Sequence, residues 1–131
     1  MDQYTEKAKE ALALAMETAE SMGVRMIGTE HILVGLIQEG SGTAARVLEA
    51  NDVKLEKLLA LEQQLVASYQ NTKVRDRDGY TPSARHVLEN SYREAVRFRA
   101  PLIGTEHILM ALLKESDCVA VRLLNTMNVN I

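Results

Sequence analysis

Two blocks of the sequence, Gly28-Thr29-Glu30-His31 and Gly104-Thr105-Glu106-His107, repeat a set of polar residues that core packing does not require. A threonine just ahead of an apolar run at helical spacing is a helix cap. Thr29 and Thr105 are therefore expected at N-caps, with Glu30 and Glu106 in the first helical position. The first N–H groups of such a helix have no partner inside it and stand at the positive end of the helix dipole, which suits an anion. The carboxylate beside them admits two readings. In one, Glu30 and Glu106 only complement the dipole, a gain of about 0.3–1 kcal/mol. In the other, helix start and carboxylate together match a ligand carrying both signs of charge, such as a phosphorylated guanidinium. Its phosphate would take the N–H groups and the threonine hydroxyl, and its guanidinium would donate to the glutamate. Gly28 and Gly104 serve the turn and let a ligand approach the backbone. His31 and His107 are expected to cap or pack.

Other chemistry lacks its motifs. No glycine precedes Lys-Ser or Lys-Thr, so the chain has no P-loop and no nucleotide is expected here. His31, His86, His107 and Cys118 show no metal-ligand spacing, and nothing marks a base for Cys118, which reads as a buried helical thiol. A hydrolase built on Glu30 and His31 fails because adjacent helix positions point about 100° apart. No catalytic residue is assigned.

The elements that must position the blocks come in two copies. A shift of 76 lays Tyr4–Leu55 over Tyr80–Ile131 without a gap, and 18 of the 52 paired positions are identical. In copy one, Thr5 caps a long helix with Ala8, Leu12, Ala15, Ala19 and Met22 inward and Gly23 as its stop. In copy two, Thr81 is the cap, Pro82 takes the first position, and Ala84, Leu88, Ser91, Ala95 and Phe98 face inward. Tyr4 and Tyr80 precede these helices as staples or as aromatic edges of a groove. Second helices carry Ile32, Leu33, Leu36 and Ile37, or Ile108, Leu109, Leu112 and Leu113. Third helices span about 43–50 and 119–126, and a fourth runs from Leu55 to about Ser68 after copy one only. The expectation is an all-α, pseudo-two-fold duplicated four-helix repeat in one domain, 1–131: repeat one 4–68, linker 69–79, repeat two 80–131. The last helix of an eight-helix set would be truncated and the C-terminus frayed.

At 131 residues and 47% hydrophobic the chain can bury one core without staples. A net charge of −3 argues against a nucleic-acid face. The basic cluster Lys73, Arg75 and Arg77 is broken by Asp76 and Asp78 and reads as a solvated linker. A single cysteine, no leader pattern and no apolar run of membrane-spanning length lead to the expectation of a cytoplasmic protein without membrane contact. Arg46 and Arg122, also duplicated, are expected to pair with acids at the surface.

The longer blocks IGTEHILVGLIQE (Ile27 to Glu39) and IGTEHILMALLKE (Ile103 to Glu115), each behind a Tyr-Thr helix start, resemble the Clp repeat. Nearly the whole chain is similar to the N-terminal domain of ClpC-type AAA+ unfoldases. The resemblance implies a monomeric recognition domain tethered to a hexameric ATPase ring, which receives unfolded substrates and adaptor proteins and feeds the Clp peptidase. ATP and magnesium would belong to the ring's own domains. It further implies recognition of phosphoarginine-marked proteins, with Glu30 and Glu106 on the guanidinium and the helix starts at Thr29 and Thr105 on the phosphate. The sequence departs from the pattern where Ser116, Asp117 and Cys118 replace Gly40, Ser41 and Gly42, and where Ala111 replaces Gly35. The charge of Asp117 is expected to weaken the site in its own copy, at Glu106. A free-standing two-repeat adaptor or sequestering protein is the alternative.

Overall fold

The computed structural model describes residues 3–69 and 79–129, so most of the expected linker and the chain end at 130–131 lie outside the described residues. Seven helices follow one another: α1 (Glu6–Ser21), α2 (Thr29–Glu39), α3 (Thr43–Ala50), α4 (Leu55–Tyr69), α5 (Pro82–Arg97), α6 (Thr105–Lys114) and α7 (Val119–Thr126). This is the duplicated all-α arrangement the repeat calls for. No described helix is long and apolar enough to cross a membrane.

The long helices start and stop as their residues dictate. Thr5 and Thr81 accept hydrogen bonds from the N–H groups of Ala8 and Ala84, each at 3.1 Å. Both helices end in a left-handed residue, Gly23 (φ 72°) in one and Arg99 (φ 57°) in the other, with the next N–H closing back on Ala19 or Ala95.

α2 is the central helix, and α1, α3, α4, α5, α6 and α7 all pack on it. It is buried on nearly every side rather than on one stripe, with Ile32, Leu33, Val34 and Leu36 fully enclosed. α1 reaches it through a row of small residues, Ala8, Ala11, Ala15 and Ala19. A β-carbon added at Gly35 would collide with the Ala11 carbonyl and come within 3.0 Å of the Ala15 nitrogen, so the two backbones touch there. On α5, Val87 takes the buried place between Ala84 and Ser91. The expected inward Phe98 is instead 54% exposed, because it follows the last turn of α5; its ring lies tilted against the His107 imidazole of α6, centroids 6.4 Å apart, with the Arg97 guanidinium 5.4 Å from its centroid. Cys118 is buried as expected but sits at the N-cap of α7, not inside a helix.

The copies are crossed. Tyr4 pairs in a short parallel bridge with Ile103, and Tyr80 with Ile27. The lead-in to each long helix is thereby tied to the lead-in of the other copy's second helix, by Thr5 N–H to Ile103 (2.9 Å) and Thr81 N–H to Ile27 (3.0 Å). Tyr4 and Tyr80 are half-buried in this seam and pack on the core.

Candidate functional site

The crossing redefines the Gly-Thr-Glu-His blocks. Gly28 and Gly104, not the threonines, are the N-caps of α2 and α6, which moves Thr29 and Thr105 to the first helical position and Glu30 and Glu106 to the second. The threonines are displaced from the cap because their hydroxyls serve other helices. Thr105 Oγ1 accepts from Ala44 N–H at the start of α3 (3.2 Å), and Thr29 Oγ1 from Ala120 N–H at the start of α7 (3.1 Å). Each copy's second helix thus caps the third helix of the other.

A glycine cap has no side chain, and the imidazole three residues on supplies the missing contact. His31 Nδ1 accepts from Gly28 N–H at 2.8 Å, and His107 Nδ1 from Gly104 N–H at 2.9 Å. Both histidines are capping residues. Burial lowers the pKa of His31, against a smaller upward pull from Glu30, which keeps the ring neutral and able to accept.

Both glutamates fold back over their glycines. A β-carbon at Gly104 would lie 2.5 Å from Glu106 Oε1, and one at Gly28 would collide with Glu30 Oε1. Glu30 is 4% exposed, whereas Glu106 is only half-buried. Beside Glu30 lies Glu62 of α4, 1% exposed, with neither carboxyl oxygen partnered among the described residues. Sequence reading missed Glu62, since one acid in a helix of alternating polar and apolar residues carries no mark.

At Glu106 three helix starts converge on a cleft of about 170 Å³: α1 brings Thr5 and Lys7, α3 brings Gly42, Thr43 and Arg46, and α6 brings Gly104, Thr105 and Glu106. Three positive dipole ends and two cations therefore meet the Glu106 carboxylate here, with the Glu39 carboxylate behind Lys7. The Lys7 ammonium donates to the Ser41 carbonyl at 3.3 Å, which holds it at the rim. Behind it, burial pushes the Glu39 carboxyl up, but the Ser41 hydroxyl, the N–H groups of Gly42 and Ser41, and Lys7 outweigh this and hold it below the ordinary range. Such a cleft offers donors and positive charge to a phosphate and a single acceptor to a cation on the same molecule.

Of the expected site residues, Thr5, Gly104, Thr105 and Glu106 are brought together here; Gly28, Thr29, Glu30 and Thr81 belong to the pseudo-equivalent place, and Tyr4 and Tyr80 lie in the seam. Lys7 was not foreseen. Arg46, expected to pair with an acid, makes no ion pair among the described residues and lines the cleft. The expected effect of Asp117 also moves. Its turn leads into α7, whose Ala120 is bound to Thr29, so the added charge falls on the Glu30 side and not at Glu106.

Residues 3–127 match the family described as the Clp repeat (R) N-terminal domain. The chain is 41% identical over 128 residues to the negative regulator of genetic competence ClpC/MecB of Bacillus subtilis, an overlap of 98% of this chain and 16% of that protein. It is 38% identical over 128 residues to chaperone protein ClpB of Oceanobacillus iheyensis, with the same two coverages, 98% and 16%. The chain thus spans less than a fifth of the curated relatives it matches. The N-terminal domain of ClpD from Arabidopsis thaliana shares the fold, with a TM-score of 0.75 at 24% identity over 98% of this chain and 89% of that one. A duplicated helical unit whose copies cap one another is the form the repeat takes here, and the chain belongs to the Clp repeat N-terminal domain family.

Proposed function

We propose that the chain is the substrate- and adaptor-recognition domain of a cytoplasmic Clp-type ATP-driven unfoldase, a non-catalytic module that selects proteins marked with phosphoarginine. The observation that carries this is the cleft at Glu106, where Lys7, Arg46 and three helix starts surround a glutamate able to accept from a guanidinium. Phosphate alone would meet the glutamate's repulsion, and arginine alone would meet the two cations. A phosphorylated guanidinium satisfies both sets. The duplicate place keeps Thr29, Glu30 and Arg122. Adaptor proteins suit the exposed apolar residues Tyr92, Val96, Phe98 and Leu102 on α5 and the loop after it. Unfolding and delivery to the Clp peptidase are the work of the parent ring, where ATP and magnesium act.

Calorimetric titration with phosphoarginine, arginine and phosphate tests the reading. Phosphoarginine should bind at least tenfold more tightly than either fragment, and Glu106→Gln should weaken it about 10- to 100-fold, the equivalent of one charge-assisted hydrogen bond of about 1.5–3 kcal/mol. Equal, weak binding of all three would return the glutamate to a purely capping role. Gly104→Ala separates fold from site. The three atoms nearest the added methyl all belong to the movable end of Glu106, so melting should fall only by the modest cost of alanine at an N-cap, about 1 kcal/mol, while phosphoarginine affinity drops about tenfold or more as the carboxylate is pushed aside.

A further inference from the structure

We infer that the two pseudo-equivalent helix starts have divided their roles in this chain: the cleft at Glu106 takes one charged ligand per domain, and the start at Glu30 is a closed structural joint. The identity of the ligand rests on the phosphoarginine reading above; the division itself rests on differences between the two places.

The shift that superposes the copies carries Lys7 onto Ser83, Ser41 onto Asp117 and Gly42 onto Cys118, while Arg46 falls on Arg122 and Glu106 on Glu30. Counted over the residues that line the cleft, the Glu30 place has one cation fewer and one anion more, so its lining is two charges less positive than its counterpart. Opposite charges raise the local concentration of a phosphate and like charges lower it, an effect that acts within a Debye length of about 8 Å at physiological salt. The Glu62 carboxyl of α4 lies beside Glu30 as well, protonated at neutral pH, so it occupies the place without adding charge to it. Exposure follows the same division, with Glu30 almost wholly buried and Glu106 open to the cleft.

What the Glu30 start retains is the structural half of the arrangement. Thr29 still caps α7, His31 still closes Gly28, and the Ile27–Tyr80 bridge still joins the copies. These contacts need no ligand. The two places share one plan, and the residues at positions 83, 117 and 118 leave the Glu30 place its joint without the Lys7 cation and with an added anion.

Amide shifts of the nitrogen-15-labelled chain, titrated with phosphoarginine and separately with inorganic phosphate, test the division alongside calorimetric stoichiometry. The amides of Gly42 and Thr105 should move saturably at one equivalent of phosphoarginine, while those of Thr29 and Val119 stay in place. Two equivalents, or comparable saturable shifts in both sets, would overturn the division and leave the phosphoarginine reading standing. Shifts of Gly42 and Thr105 alone, with phosphoarginine no tighter than phosphate, would uphold the division and overturn that reading. No shifts with either compound would overturn both.

Discussion

Replacing Glu62 by glutamine is expected to stabilise the domain by about 3 kcal/mol at pH 7. The Glu62 carboxyl is pushed up to about 9, first by burial and then by the neighbouring charge of Glu30. The folded chain therefore keeps a proton that the unfolded chain has released above about pH 4.5, and stability falls as pH rises from there toward 9. By pH 7 the gap is about 2.5 pH units, each worth about 1.36 kcal/mol. Glutamine imitates the protonated acid in shape and never ionises, so its penalty is constant. Urea unfolding across pH 5 to 9 should give a falling curve for the parent and a flatter one for Glu62→Gln, converging near pH 4.5. Coincident curves at pH 8 would show that the carboxyl is solvated. His31 works in the opposite sense, since its lowered pKa costs stability as pH falls below about 6.5; it is common to both proteins and cancels in the difference.

Gly35→Val should be the most damaging single change in the contact between α1 and α2, at about 3 kcal/mol, the upper end for overpacking. The first added carbon runs into the Ala11 carbonyl, which is backbone and cannot rotate away, so the whole of α1 must shift. Gly35→Ala should cost less, about 1–2 kcal/mol, because better helix propensity returns part of the strain. A melting scan should show the midpoint falling by about 4 °C per kcal/mol. The other copy carries Ala111 at the same place, fully buried, with Val87 and Ser91 where α1 has Ala11 and Ala15. If Gly35→Val melts with the parent, the helices are not in backbone contact.

These two positions also show where sequence reading stops. The repeat was legible from identity across a shift of 76, and the caps at Thr5 and Thr81 and the stop at Gly23 because each is settled by residues within one turn. The caps of α2 and α6 were misplaced by one residue because the hydroxyl that would have served locally is claimed by Ala44 or Ala120 in the other copy, which no local pattern displays. For the same reason the residues of the cleft at Glu106 were assigned to single copies. Its carboxylate comes from one copy and its cations from the other, so Lys7 went unremarked and Asp117 was placed beside the wrong glutamate. Phe98 was read inward from periodicity alone, although the helix ends at Arg97 and the period no longer applies.

Helical domains usually fold fast because most of their contacts are close in sequence. Here the bonds that complete the helix starts join residues 61 and 91 positions apart. Each copy on its own would leave the start of its third helix uncapped and its lead-in segment unpaired, so neither gains its full stability until the two have met. Loop closure must then precede the reward, and docking of the copies becomes the slow, cooperative step in acquiring the native state. Cutting the connection between the copies would not release two domains. It would turn folding into a bimolecular reaction, and recovery of the cleft at Glu106 would depend on the concentration of the two halves.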